Sequence, residues 1–83
     1  MNRIDRIRQQ LASLKPTSLE IIDESPQHAG HMEDSAAKET HLKIIITAQS
    51  LMGRSRVAQH KIINELVAGE FDSGLHALTI KIQ

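Results

Sequence analysis

The chain has 83 residues, and its ten Lys and Arg balance ten Asp and Glu, so the formal net charge at pH 7 is zero. This balance lacks the electrostatic signature of an unaided nucleic-acid binder, and the length predicts a single domain over residues 1–83. Five His and no Cys exclude a disulfide framework, a four-thiolate zinc site and an iron–sulfur cluster held by this chain alone. Metal chemistry here would have to rely on imidazole.

The first predicted element is an amphipathic helix over residues 3–14. Asn2 is placed to cap it, and Pro16 lies just beyond its end. The spacing leaves the arginines and glutamines of this helix in water. Four apolar side chains recur at helical spacing and form the buried stripe: Ile4, Ile7, Leu11 and Leu14.

Two short apolar runs, residues 19–22 and 42–47, predict the strands of an antiparallel hairpin. Residues 25–39 between them contain two histidines, a proline and a glycine, and almost nothing that could enter a core. A connection this long is uncommon in a compact domain and is more often functional or disordered than merely connective. We therefore interpret residues 25–39 as a long functional hairpin loop.

The second half of the chain predicts one long helix and a final strand. The helix spans residues 55–68, and Gly69 is placed to end it in a left-handed conformation. The strand spans residues 75–82 and puts four side chains on one face, with Leu75 on the other: His76, Leu78, Ile80 and Ile82. The order of elements predicts an α+β two-layer sandwich, a three-stranded sheet with helices on one face.

The apolar runs also bear on membrane association and compartment. They fall far short of the roughly 18 residues that a spanning helix requires. The N-terminus lacks the apolar segment of a signal peptide. We therefore expect a cytoplasmic protein with no membrane partner.

Five motifs, which together cover most of the chain, give it a resemblance to the BolA family. The helical motif and the His-Ala-Leu motif that follows it carry the resemblance most strongly. In chain order the motifs are Asp23-Glu24-Ser25, His28-Ala29-Gly30-His31, Glu39-Thr40-His41-Leu42, the run from Ser55 to Ile63, and Gly74-Leu75-His76-Ala77-Leu78.

The resemblance implies a fold and a partner. The fold is αββααβ with a mixed sheet, similar to the class II KH domain. The partner is a monothiol glutaredoxin with a Cys-Gly-Phe-Ser motif, which shares a bridging [2Fe–2S] cluster with BolA proteins. Two ligands to this cluster would come from the glutaredoxin cysteine and glutathione, so no cofactor is expected in the isolated chain. The function implied is that of an adaptor in iron–sulfur trafficking or iron regulation, not of an enzyme.

The same resemblance assigns residues to the site. It implies that His76 and His28 are the two imidazole ligands, and His31 remains an alternative because it lies three positions from His28 in the same loop. His41 matches a position that the family usually fills with histidine, and we expect it to fix the hairpin. Arg56, His60 and Lys61 are expected to face the partner.

A KH-like, nucleic-acid-binding transcriptional regulator is the alternative function. Arg54, Arg56 and Lys61 could form a basic strip along one helix face. The sequence has no Gly-x-x-Gly motif, and Phe71 is its one aromatic residue, so the backbone clamp and the base-stacking platform of single-strand binders are both missing.

Two further alternatives involve the loop. Zinc could bind His28 and His31 with a carboxylate such as Glu33 or Asp34, because imidazole and carboxylate oxygen both suit zinc. Glu24, Ser25 and His28 are side-chain types found in hydrolytic sites. However, the chain has no nucleophile elbow, P-loop or dinucleotide fingerprint, so the sequence does not favour an enzyme.

Overall fold

The computed structural model describes residues 2–25 and 39–83. The order of helices and strands is the αββααβ order that the family resemblance implied. Short 3-10 turns follow α1 and β2. The helices are α1 (Arg3–Leu11), α2 (Arg56–Leu66) and α3 (Ala68–Asp72), the strands are β1 (Ser18–Asp23), β2 (His41–Thr47) and β3 (Ala77–Ile82), and the turns are Ala12–Leu14 and Gln49–Leu51.

The sheet is mixed, with β2 in the centre. β1 pairs with β2 antiparallel, and Ser18 lies opposite Thr47. β3 pairs with β2 parallel, and Ala77 lies opposite His41. A parallel pair needs a crossover connection, which here contains α2 and α3. The predicted hairpin and the predicted α+β class are confirmed.

The core lies on one face of the sheet, where the helices pack. Side chains of β2 alternate, so that Leu42, Ile44 and Ile46 are fully buried while the residues between them stay partly exposed. The other large, fully buried side chains come from α1, from the turn after β2, and from α2 with the residue that follows it: Ile7, Leu11, Leu51, Ile63 and Val67. Removal of this apolar surface from water is the main driving force for the fold.

The ends of the first helix follow the sequence prediction. Asn2 Oδ1 accepts a hydrogen bond from the N–H of Asp5 at 2.8 Å, which is the expected cap. The last predicted turn is a 3-10 turn, and it ends at Lys15 in the left-handed region with φ 51°. In the described residues, no helix combines the length and apolarity needed to cross a membrane.

The prediction that one helix runs to Gly69 is wrong. α2 ends at Leu66, and Gly69 lies inside the separate helix α3. Val67, between the two helices, is fully buried. The break places Glu70 of α3 against α1, and this long-range contact overrides the local stop signal that glycine provides.

The start of the last strand also differs from the prediction. β3 begins at Ala77, two residues later than expected, because Gly74 adopts φ 126° and the chain turns before it becomes extended. Leu75 belongs to the core, with 2% of its surface exposed, and does not lie on an outer sheet face. The predicted alternation holds from Leu78 to Ile82.

Candidate functional site

Two histidines lie side by side where β2 and β3 begin. His41 is the first residue of β2, and His76 directly precedes β3. Because the two strands are parallel and Ala77 is paired with His41, the side chains emerge at the same edge of the sheet. Their ring centres are 5.9 Å apart, and the ring planes meet at 69°. His76 is exposed and His41 is partly buried, so a partner has access to the pair.

Backbone hydrogen bonds hold the two histidines in register. The carbonyl oxygen of Thr40 accepts from the N–H of His76 at 2.8 Å and from the N–H of Ala77 at 3.1 Å. On the other side, the N–H of Glu24 donates to the carbonyl of His41 at 2.7 Å. The backbone that carries each ring is therefore tied to its neighbouring strand.

A series of side-chain hydrogen bonds, here called the hydroxyl chain, leads from Asp23 through Ser25 and Thr40 to His41. The Ser25 hydroxyl donates to Asp23 Oδ1 at 2.6 Å, and the Thr40 hydroxyl donates to Ser25 Oγ at 3.3 Å. Thr40 Oγ1 lies 3.0 Å from His41 Nδ1. The N–H of Thr40 also donates to Ser25 Oγ at 2.9 Å. The His41 ring thus contacts the Thr40 hydroxyl, which Ser25 and Asp23 hold in turn.

Glu70 is the centre of a buried ionic cluster, here called the Glu70 network. Its carboxylate accepts from Arg6 Nη2 at 2.8 Å, from Arg6 Nε at 3.0 Å, from Arg3 Nε at 3.1 Å and from Gln10 Nε2 at 3.1 Å. Only 3% of Glu70 is exposed. The hydrogen bond from Arg6 is the largest cause that lowers the pKa of Glu70 to about 2, against burial, which raises it.

Arg3 links this network to the histidine pair. Its Nη1 donates to the carbonyl of Glu39 at 2.6 Å, and its Nη2 donates to the carbonyl of Ser73 at 2.8 Å. Glu39 lies two residues before His41, and Ser73 lies three residues before His76. One guanidinium therefore joins the segments that lead into both imidazoles. Glu39 Oε1 in turn accepts from the N–H of Ile4 at 2.7 Å.

Sequence reasoning missed Arg3 and Glu70. The prediction that the polar side chains of the first helix face water is wrong for Arg3, whose side chain is 12% exposed. Arg3, Arg6 and Gln10 follow the i, i+3, i+7 spacing of one helical face. That spacing indicates a polar face on the helix that could contact another element. It does not indicate that the contact is with the carboxylate of Glu70.

The three residues expected to face a partner lie together. Arg56, His60 and Lys61 are on α2 and line one open groove with a volume of about 690 Å³. Val57 lies in the same groove and is 78% exposed. Their role in partner binding stays a prediction. Because they line one groove, a single partner could contact all three. The other groove residues are Asn64, Glu65 and Ala68.

His28 and His31 lie outside the described residues, as do Glu33 and Asp34. The convergence of His28 and His76 on one metal is therefore untested and stays a prediction. Within residues 2–25 and 39–83, no three His, Asp or Glu side chains are placed to hold a metal ion together. The described residues do bring one pair of imidazoles together, His41 and His76. Two imidazoles could supply at most half of a four-coordinate set, so any metal bound at this edge would need ligands from elsewhere.

The chain folds as a small α+β domain in which helices cover one face of a three-stranded mixed sheet, with His41 and His76 at one edge of that sheet. The chain belongs to the BolA-like protein family, whose model matches residues 11–83. This result confirms the resemblance drawn from the sequence motifs.

Relatives include Protein BOLA1, chloroplastic, of Arabidopsis thaliana, which is 40% identical over 95% of this chain and 51% of its own length. SufE-like protein 1, chloroplastic/mitochondrial, of Arabidopsis thaliana is 44% identical over 90% of this chain and 22% of its own length. The DNA-binding transcriptional regulator BolA of Escherichia coli is 30% identical over 92% of this chain and 70% of its own length. The chain thus spans about half of the first relative and a fifth of the second.

Solved structures of two of these relatives share the fold. BolA1 from Arabidopsis thaliana superposes with a TM-score of 0.87 at 38% identity, covering 100% of this chain and 92% of that one. The BolA domain of SufE1 from Arabidopsis thaliana gives a TM-score of 0.82 at 40% identity, with the same coverage. The described elements are therefore those of a BolA domain.

Proposed function

We propose that this protein is an adaptor that binds a monothiol glutaredoxin and contributes imidazole to a bridging [2Fe–2S] cluster, which it helps to transfer or to sense. The observation that carries the proposal is the exposed His76 beside His41 at the edge of the sheet of a BolA domain. Such a site supplies some of the cluster ligands and takes the remaining ligands from a partner, which suits an adaptor better than a catalyst.

The chemistry of the donors fits this cargo. Neutral imidazole binds iron, and in Rieske centres two histidines replace two thiolates on one iron. The chain has no cysteine, so thiolate ligands would come from the cysteine of the glutaredoxin and from glutathione. His76 is exposed, which ligation shared between two proteins requires. The loop histidine His28, with His31 as the alternative, remains the second ligand that the family resemblance implies.

The groove on α2 supplies a surface for the partner. Arg56 and Lys61 are exposed cations beside the exposed apolar Val57, while His60 is partly buried in the same groove. A glutaredoxin surface with acidic side chains around an apolar contact would complement it in charge and polarity. Association through this groove can persist without the cluster, because its residues are separate from the imidazoles.

Reconstitution tests the cluster ligands. The protein is mixed with a monothiol glutaredoxin, glutathione, iron and sulfide, and the visible absorption and circular dichroism are compared with those of the glutaredoxin homodimer. We expect a distinct heterodimer spectrum, its loss in His76→Ala, and its retention in the matched control His60→Ala at saturating glutaredoxin. His28→Ala should weaken the heterodimer spectrum strongly. If only His31→Ala weakens it, His31 and not His28 is the ligand from the loop. An unchanged spectrum in His76→Ala contradicts the proposal.

A separate measurement tests the groove. Calorimetric titration of the apo proteins should show weaker binding for Arg56→Glu with Lys61→Glu than for Arg8→Glu with Lys81→Glu, an exposed pair outside the groove with the same change in charge. Equal affinities for both variants would exclude the groove as the docking surface. Because no cluster is present, this result is independent of the ligands.

Nucleic-acid binding remains a second candidate because the Escherichia coli relative is named a DNA-binding transcriptional regulator. Arg54, Arg56 and Lys61 are exposed around the start of α2 and could contact phosphates. Fluorescence anisotropy with short duplex and single-stranded DNA tests this. Binding that weakens steeply with salt and is lost in Arg56→Glu with Lys61→Glu would favour the regulator. No binding at low salt would exclude it.

A further inference from the structure

We propose that Arg3 is a positioning residue for the edge of the sheet at which a partner reaches His76. Its guanidinium, here called the Arg3 clamp, joins the backbone of Glu39, just before β2, to the backbone of Ser73, just before His76. The inference rests on the proposed function for the use made of His76, but the clamp itself is tested without glutaredoxin. Arg3 precedes residues 11–83, which the family model matches, so this role does not follow from family membership.

The three nitrogens of the guanidinium contact three different parts of the chain. Nε donates to the carboxylate of Glu70 at 3.1 Å, and Nη1 donates to the carbonyl of Glu39 at 2.6 Å. Nη2 donates to the carbonyl of Ser73 at 2.8 Å and lies 3.3 Å from the hydroxyl oxygen of the same residue. Because a guanidinium is planar and its donors point in fixed directions, one side chain restrains the two backbone segments relative to each other.

Glu39 has a backbone conformation that depends on such contacts. Its φ is 59°, in the left-handed region that residues other than glycine rarely adopt. Its carbonyl accepts from Arg3, its Oε1 accepts from the N–H of Ile4 at 2.7 Å, and its N–H donates to Asp23 Oδ2 at 3.2 Å. Two of these three contacts come from α1. Since a strained conformation persists only where its surroundings hold it, α1 helps to fix the residue from which the chain enters β2.

The segment before His76 is shaped to fit the same guanidinium. Gly74 adopts φ 126°, and a Cβ at this position would lie 3.1 Å from Arg3 Nη2. Glycine therefore lets the guanidinium lie directly against the backbone. The next residue, Leu75, is buried in the core, and its N–H donates to the carbonyl of Glu70 at 2.9 Å. His76 thus follows a segment that both the core and the Arg3 clamp restrain.

These restraints bear on the histidine that a partner can reach. The N–H of His76 donates to the carbonyl of Thr40, and Arg3 holds Ser73 three residues earlier. A group that binds a ligand is most effective when it is ordered beforehand, because ordering it on binding costs free energy. The Arg3 clamp supplies part of this order from α1, outside the pair of strands that carries the site.

Amide hydrogen exchange in the full chain, without glutaredoxin, tests the clamp. The variants are Arg3→Ala and Arg3→Lys, which keeps the charge but loses the planar fork. The exchange rates of the His76 and Ala77 amides, which both donate to Thr40, are divided by those of the slowest core amides, which report global unfolding. We expect this ratio to rise about tenfold in both variants.

The control is Ile63→Val, which shortens a buried side chain of α2 and lowers the stability of the whole fold. It should leave the exchange ratio unchanged, because a general loss of stability speeds both sets of amides alike. An unchanged ratio in both Arg3 variants overturns the proposal. A raised ratio in Arg3→Ala with a wild-type ratio in Arg3→Lys likewise overturns it, because a single charge would then be enough.

A second measurement relates the clamp to the cluster. In the reconstitution with glutaredoxin, glutathione, iron and sulfide, Arg3→Ala and Arg3→Lys should alter the circular dichroism of the heterodimer, whereas Ile63→Val should not. An unaltered spectrum in both Arg3 variants overturns the role of Arg3 in positioning His76. If the wild-type chain gives no heterodimer spectrum, the proposed function fails, while the exchange ratio still decides whether the Arg3 clamp holds this segment. The two proposals therefore fail separately.

Discussion

The Glu70 network and the histidine pair are both polar clusters connected to Arg3, yet they differ in burial and in how their groups are satisfied. Glu70 is almost completely buried and accepts four hydrogen bonds from α1. His76 is exposed, and its ring contacts that of His41 edge to face. The first arrangement suits a fixed support, and the second suits a site that another molecule can reach.

The difference separates stability from function along the chain. A removed charge in the network leaves its partners buried without compensation, which is costly. A removed exposed imidazole leaves nothing buried behind it. We therefore expect substitutions in the network to change the free energy of unfolding, and substitution of the exposed His76 to change ligand binding at nearly constant stability.

The largest effect is expected for Glu70→Gln. The neutral amide cannot pair with Arg3 and Arg6, so we expect the free energy of unfolding to fall by about 2 to 3 kcal/mol in urea denaturation at pH 7. Glu20→Gln, on the exposed face of β1, removes the same charge without a buried partner and is the control. Equal losses for the two variants would show that the network contributes nothing specific.

The same residue predicts how acid affects stability. The pKa of Glu70 is lowered from 4.5 to about 2, so the folded state binds a proton less readily than the unfolded state. The stabilisation is complete above pH 4.5 and is lost as the pH falls toward 2, by about 3 kcal/mol in total. Glu70→Gln should flatten the stability curve in this window. A variant curve parallel to the wild-type curve would contradict the assignment.

A smaller effect is expected for Arg3→Ala. The substitution removes hydrogen bonds to Glu70, Glu39 and Ser73, while Arg6 keeps Glu70 paired, so we expect a loss of about 1 to 2 kcal/mol. Arg8→Ala on the exposed face of α1 is the control. The amide signals of His41 and His76 should also shift in Arg3→Ala alone. Unchanged signals would mean that Arg3 does not position the pair.

The smallest effect on stability is expected for His76→Ala. The side chain is exposed, so the free energy of unfolding should change by no more than about 0.5 kcal/mol. A loss comparable to that of Glu70→Gln would erase the contrast between the two clusters and assign His76 to the scaffold.

Much of the fold follows from local pattern. The stripe of Ile4, Ile7 and Leu11 predicted α1, and the alternation from Leu42 to Ile46 predicted a half-buried strand, because side-chain spacing within one element reports which face is apolar. The Asn2 cap was also predictable, since it involves the N–H three residues later. The family resemblance predicted two helices before β3, whereas the periodicity alone had predicted a single helix in place of α2 and α3.

The candidate site was predictable only in part. His76 was identified through the family motif, and the structure places it where a partner can reach it. His41 was expected only to fix the hairpin, because nothing in the spacing of residues 41 and 76 indicates that their rings are neighbours. The parallel register between β2 and β3 brings them together, and register depends on the pairing of distant strands.

The helices, the strands and their apolar faces are thus encoded locally, since they depend on residues a few positions apart, whereas the candidate ligands came from the family motif. Which polar groups meet depends on contacts between distant parts of the folded chain. Arg3 and Glu70 are 67 positions apart, and their contact joins α1 to α3. The same Arg3 side chain donates to the segments that lead into both histidines. A buried charge such as that of Glu70 is costly unless an opposite charge pairs with it, so the fold requires this contact although the two residues are far apart in the sequence.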